Sequence, residues 1–302
     1  MVTASSGDPE TVLADLQLSR SLTIQWTVVG TMGFGVAVAA FGALYQLFTG
    51  EAVTFQFASA DVAWWVGPMN VLAVAALATV ILVPHEWLHG LAIRYYGGEP
   101  RYGVGLAHFI LPYAYATTDH RFTRDQFLVV LLVPLIGITA VGVPLLIVFE
   151  WSWLVIPLAA NAGGAVGDLW MSMTLLGYPS HVDVEDHRTG IRILGRETDR
   201  PRELSMTAVV WDALVGAAVT SVGILVALSF GGLFLLDALG VGSFTVGTPG
   251  TITYVVGYVN TPEEISVSVG LGVPALGGLI GLAYSFVRSY RRLGRSAGAG
   301  DA

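Results

Sequence analysis

The chain has no cysteine and no lysine. The first absence removes disulfides and thiolate ligands, so any bound metal must be held by histidine or carboxylate side chains. The second leaves arginine as the sole strongly basic residue. Fourteen arginines face twenty-two acidic residues, for a net charge of −8. That balance argues against nucleic-acid binding, which favours a basic face. Charge of either sign is scarce, at 12% of residues where a soluble domain carries about 25%. The N-terminus also lacks a basic stretch ahead of an early apolar run. It carries Asp8, Glu10 and Asp15 instead, and no cleavable signal peptide is expected.

What fills the 302 residues is apolar: 54% are hydrophobic and 37 are glycine, a composition of polytopic membrane proteins, whose helices pack closely through small residues. A spanning helix needs about 20 apolar residues. Six stretches qualify: 24–48, 66–94, 126–149, 152–177, 207–238 and 266–288. The expected fold is all-α, a bundle of about six transmembrane helices. Residues 1–23 form a polar N-terminal segment, 24–290 a single membrane domain with a core at about 66–177, and 291–302 a tail. In this six-helix arrangement every arginine falls on one side, with the N-terminus, the 95–125 and 178–206 loops and the tail. Residues 49–65, 149–152 and 239–265 on the other side have no basic residue. The positive-inside rule then puts both termini in the cytoplasm of a multi-pass cell-membrane protein. Partial alternation in the aromatic run from Tyr102 to Tyr115 suggests a short cytoplasmic β-hairpin or re-entrant segment. Residues 239–265, with a turn at Thr248-Pro249-Gly250, suggest an external β-hairpin. Residues 178–206 read as a charged loop.

The chemistry concentrates in Pro84-His85-Glu86-Trp87-Leu88-His89-Gly90. Histidines four apart share one helix face, so both imidazoles can reach one metal ion. Glu86 sits beside them, placed to move a proton. This is the H-E-x-x-H signature of zinc hydrolases. It lies inside an apolar segment, where ionisable groups are costly and usually functional. The bland alternative is a pair of packed helix histidines. Pro84 is expected to bend the segment.

Catalytic zinc normally has three protein ligands. Asp168 is the acidic residue well inside the fourth apolar segment. At about 1.5 Å of rise per residue it lies at the depth of the two histidines, roughly 13 Å from the cytoplasmic end. Its alternative is a buried, locally satisfied carboxylate. His108, in the apolar loop, is the next candidate ligand, followed by Asp119, His120, His181 and His187, all of them in loops. Asn161, two turns before Asp168 on the same face, can meet a substrate backbone or a facing helix.

His85-Glu86-Trp87-Leu88-His89-Gly90 in a membrane helix, followed two helices later by Asn161 and Gly167-Asp168, resembles the zincin peptidases of membranes, relatives of the site-2 protease class of intramembrane metalloproteases. The resemblance covers roughly residues 66–177. It implies His85, His89 and Asp168 as zinc ligands and Glu86 as catalytic base. The sequence departs from the Asn-Pro-Asp-Gly type of the better-known site-2 proteases, reading Val166-Gly167-Asp168-Leu169 instead.

The expected function is that of an intramembrane zinc metallopeptidase, with Zn2+ as cofactor. Its substrates would be membrane proteins, cut in or next to their spanning segments. The competing readings are a non-catalytic metal binder or transporter, and a degenerate protease that only binds membrane segments. Glu86 separates them, because a binder needs ligands but no base.

Overall fold

The structure is a computed structural model that describes residues 11–53, 65–107, 111–187, 190–199, 206–261 and 265–299. It divides into two units: residues 1–26 with 33–202, and residues 27–32 with 203–302.

The first unit begins with strand β1 (Thr11–Gln17) and helix α1 (Arg20–Thr49). Ser19 caps α1 by accepting a hydrogen bond from the Leu22 amide. Next come α2 (Val66–Val80) and α3 (Leu82–Tyr95), one apolar run broken at Ile81. The break has a cause three residues on. Pro84 has no N–H for the carbonyl of Val80, and its ring crowds that carbonyl. A hairpin of β2 (Arg101–Ala107) and β3 (Leu111–Thr117) follows. Strand β4 (Arg121–Thr123) leads directly into α4 (Arg124–Val148). Thr123 and Gln126 form a reciprocal capping box at that junction. Helices α5 (Val155–Gly164) and α6 (Val166–Leu175) are joined at Ala165, and strands β5 (Asp183–His187) and β6 (Gly190–Gly195) complete the unit.

Four of these strands form one antiparallel sheet, ordered β1-β6-β5-β4. Its two faces follow from alternation. Phe122, Val184, Ile193 and Ala14 align across the strands. With Ile191 and Val182 they bury against Ala92 and Ile93 of α3, Phe127, Val130 and Leu131 of α4, and Leu175 of α6. Each large side chain buried here contributes about 1.5–3 kcal/mol. One residue out of phase, Asp15, Arg192, Glu185 and Arg121 align on the opposite face. Their ion pairs run at 3.6, 3.6 and 3.0 Å, the opposite-charge pairing that favours one cross-strand register. At the sheet's margin, the Arg196 amide and the His181 ring hold the Asp199 carboxyl below its usual range.

The second unit contains α7 (Met206–Val226), α8 (Leu233–Ala238), strands β7 (Phe244–Val246), β8 (Val256–Asn260) and β9 (Ile265–Val269), and α9 (Gly272–Ala299). Helices α7 and α9 pack closely and antiparallel. A Cβ on Gly216 would come within 2.8 Å of the Gly281 Cα. The buried Asp212 carboxylate is paired with Arg288 at 2.7 Å and Arg292 at 2.8 Å, as a buried charge requires.

Three sequence expectations change. Among the described residues the fold is not all-α but helix-rich with three sheets. Residues 1–23 and 178–206 contain strands of the mixed-origin sheet. Their alternation is hidden because one face is charged and the partner strands lie far away in sequence. The segment expected to form a hairpin at 239–265 is part of a three-stranded sheet, because the alternating Ile265-Ser-Val-Ser-Val269 forms β9 where the sixth apolar stretch was expected to begin. Among the described residues, five helices are long and apolar enough to cross a membrane: Arg20–Thr49, Val66–Tyr95, Arg124–Val148, Ser152–Leu175 and Thr207–Val226. The expected hairpin around 102–115 is present as β2 and β3.

Candidate active site

Helix α3 carries His85 and His89 one turn apart, both nearly fully buried. Asp168 arrives from the first turn of α6, where the helix dipole favours a carboxylate. The small residues around it let α1 approach: Gly33 packs near Gly163, and the Trp26 ring lies against Gly167. The Asp168 Oδ2 atom stands 3.3 Å from His85 Nε2 and 3.6 Å from His89 Nε2.

Those separations test a metal against a simple ion pair. A charge-assisted N–H···O hydrogen bond is about 2.7–2.9 Å long. Ligands about 2.0–2.1 Å from a tetrahedral zinc are spaced roughly 3.3–3.4 Å apart. The observed distances match ligand spacing better than a hydrogen bond. The donor set of two imidazoles and one carboxylate also suits zinc.

The outer nitrogens are occupied. His85 Nδ1 donates to Asn161 Oδ1 at 2.8 Å, and His89 Nδ1 donates to the Val130 carbonyl at 2.7 Å. With Nδ1 protonated, each ring presents the lone pair of Nε2 toward Asp168. That is the usual way a metal-binding histidine is fixed.

Glu86 lies beside this group. Ligand atoms of His85, Glu86 and His89 are all within 4.8 Å of one another. The backbone amide of Ala116 on β3 faces the Glu86 carboxyl. The hairpin is seated on α3 at Gly90, where any side chain would collide with the Tyr102 phenol. Its base is tied to the sheet by Asp186 of β5. Burial pushes that carboxyl up to about 7, against the opposing pull of the Thr117 hydroxyl, the Thr118 amide and the nearby His89.

The structure therefore brings His85, Glu86, His89 and Asp168 together. Asn161, expected to meet a substrate or a facing helix, is 1% exposed and turned to His85. Its partner in the structure is a residue of the facing helix α3. Of the competing ligands, Asp119 pairs with Arg101, His120 packs edge-on against Phe122, His181 meets Asp199 and His187 lies near Glu185. His108 lies outside the described residues. The sequence reading missed the Val130 carbonyl and the Ala116 amide, because backbone groups leave no residue-type signal.

A helix bearing H-E-x-x-H, met by a carboxylate from a second helix, is the arrangement of a zinc metallopeptidase site. The model of a family described as "Putative zincin peptidase" matches residues 78–182, a stretch that includes both α3 and α6. No curated protein and no solved structure matches the chain.

Proposed function

We propose that the protein is an intramembrane zinc metallopeptidase that hydrolyses peptide bonds in or next to the spanning segments of other membrane proteins. The observation that carries this reading is the approach of Asp168 to both Nε2 atoms at 3.3 and 3.6 Å, beside the Glu86 carboxyl. His85, His89 and Asp168 would hold the zinc. When bound, the metal supplies a Lewis acid and lowers the pKa of a coordinated water to about 7. Glu86 accepts the proton from the attacking water and returns it to the leaving amine. The Ala116 amide keeps the Glu86 carboxyl aimed. Asn161 and Val130 hold the imidazoles in the tautomer that frees Nε2. A spanning helix shields its own peptide bonds, so the substrate must be locally unwound. An extended stretch of it can pair with the edge of the β2–β3 hairpin.

The arginine asymmetry supports a cytoplasmic placement for both termini. The β1-β6-β5-β4 sheet supports one part of this arrangement, a common side for the segments that flank the first four spans. It joins the segment before α1, the segment before α4 and the segment after α6, so all three must share one side. Reporter fusions at residue 250 and at the C-terminus are expected to report opposite sides, with the C-terminus cytoplasmic. The same side for both would remove this topology.

The function is tested by mixing purified protein, in detergent or liposomes, with membrane-segment substrates and reading new termini by mass spectrometry. The preparation is expected to hold about one zinc per chain and to cut in or near the apolar segment. Zinc movement across the liposome wall with no cleavage would instead mark a transporter. Asn161→Ala is expected to weaken zinc binding by about 10- to 100-fold, the usual cost of losing an outer partner of a ligating histidine. Chelator competition reads that change directly.

A further inference from the structure

Val130 sits in the middle of α4, where its carbonyl would normally accept the amide of the residue four positions later. That residue is Pro134, which has no N–H. A proline here leaves an orphan carbonyl inside the helix, and both Val130 and Pro134 are buried. Such a group needs a partner, since an unpaired buried carbonyl costs about as much as a lost hydrogen bond. The partner present is His89 Nδ1, at 2.7 Å.

We propose that Pro134 is a positioning residue for His89: by withholding an amide it reserves the Val130 carbonyl for the imidazole, which fixes the ring and its tautomer. The inference rests on the metal site proposed above. It explains why a helix that packs against α3 carries a proline at this point. Pro134 strips out one donor, which leaves the Val130 carbonyl open to a side chain of α3. The two histidines are then held by different means, His85 by a side-chain amide and His89 by a backbone oxygen. An asparagine can be recognised in the sequence as a potential partner. A carbonyl can be recognised only through the proline four residues later.

The test compares full-length wild type, Pro134→Ala and Pro144→Ala in detergent. Pro144 is the second proline within α4, and it serves as the control for helix bending. Zinc affinity is read by chelator competition, ring geometry by the visible spectrum of the cobalt(II) form, and folding by the melting temperature of the metal-free protein. Alanine at 134 restores an amide that competes with His89 for the carbonyl. Pro134→Ala is expected to weaken zinc binding by about 10- to 100-fold and to change the cobalt spectrum, without a fall in the metal-free melting temperature. Pro144→Ala is expected to bind zinc like wild type. Equal affinity in Pro134→Ala and wild type would overturn the proposal, and so would an equal loss in both variants.

Should Pro134→Ala not fold, the wild type alone decides. In metal-free protein labelled with 15N-histidine, His89 Nδ1 must carry a proton, and a bare Nδ1 would overturn the proposal. Wild-type protein that binds no zinc at all would sink the metallopeptidase reading, and the Nδ1 measurement would still judge the role of Pro134.

Discussion

Glu86→Gln is expected to yield a folded protein that keeps its zinc and cleaves peptide bonds at least about 10²-fold more slowly, the usual scale for losing a general base. Glutamine has nearly the shape of glutamate, so the packing around residue 86 and the approach of the Ala116 amide are retained. What disappears is the ability to accept a proton. The metal should stay, because the separations that suit zinc are those among His85, His89 and Asp168, none of which is altered. Metal content and cleavage therefore part company in this variant, whereas His85→Ala should lose both. Cleavage by Glu86→Gln at the wild-type rate would end the proposed mechanism, because the other carboxylate beside the two imidazoles, Asp168, is assigned to hold the metal rather than to take the proton.

Asp168→Ala is expected to empty the site. Removing the carboxylate leaves two imidazoles, one short of the usual three protein ligands of catalytic zinc. Zinc per chain should fall from about one to near zero on gel filtration, and cleavage should disappear with it. His120→Ala serves as the comparison, since His120 packs edge-on against Phe122 rather than joining the site. If Asp168→Ala retained full zinc while His120→Ala or His108→Ala lost it, the third ligand would have been misassigned.

The site was more legible in the sequence than the fold around it. H-E-x-x-H announces a helix face by its spacing alone. Asp168 stands out because a carboxylate in an apolar segment is expensive, and helix rise brings it to the depth of the histidines. Asn161 was visible as a polar residue on the same face, but its partner was not, because nothing in residue type says that His85 lies opposite. Pro84 signalled a bend, and the chain does break three residues before it. The four-stranded sheet was illegible for a different reason. Strand β1 reads Thr-Val-Leu-Ala-Asp-Leu-Gln, with little that marks it as a strand on its own. Its partner, β6, lies on the far side of four long apolar helical segments in the sequence. Pairings of that separation are set by tertiary packing, here of Phe122, Val184 and Ile193 on the ends of α3, α4 and α6.

That same pairing has a consequence for how the molecule is made. Strand β1 is translated well before its partner: the edge it needs, Gly190–Gly195, follows the segments holding His85, His89 and Asp168. Until then β1 has no partner strand, and the apolar face that seats α3, α4 and α6 is incomplete. Contacts so distant in sequence form late, since the loop between them must be closed before they can contribute. The sheet can therefore close only around α3, α4 and α6 once they are already in place. A chain that stops short of β6 would carry all of the site's side chains and lack the platform that holds them together.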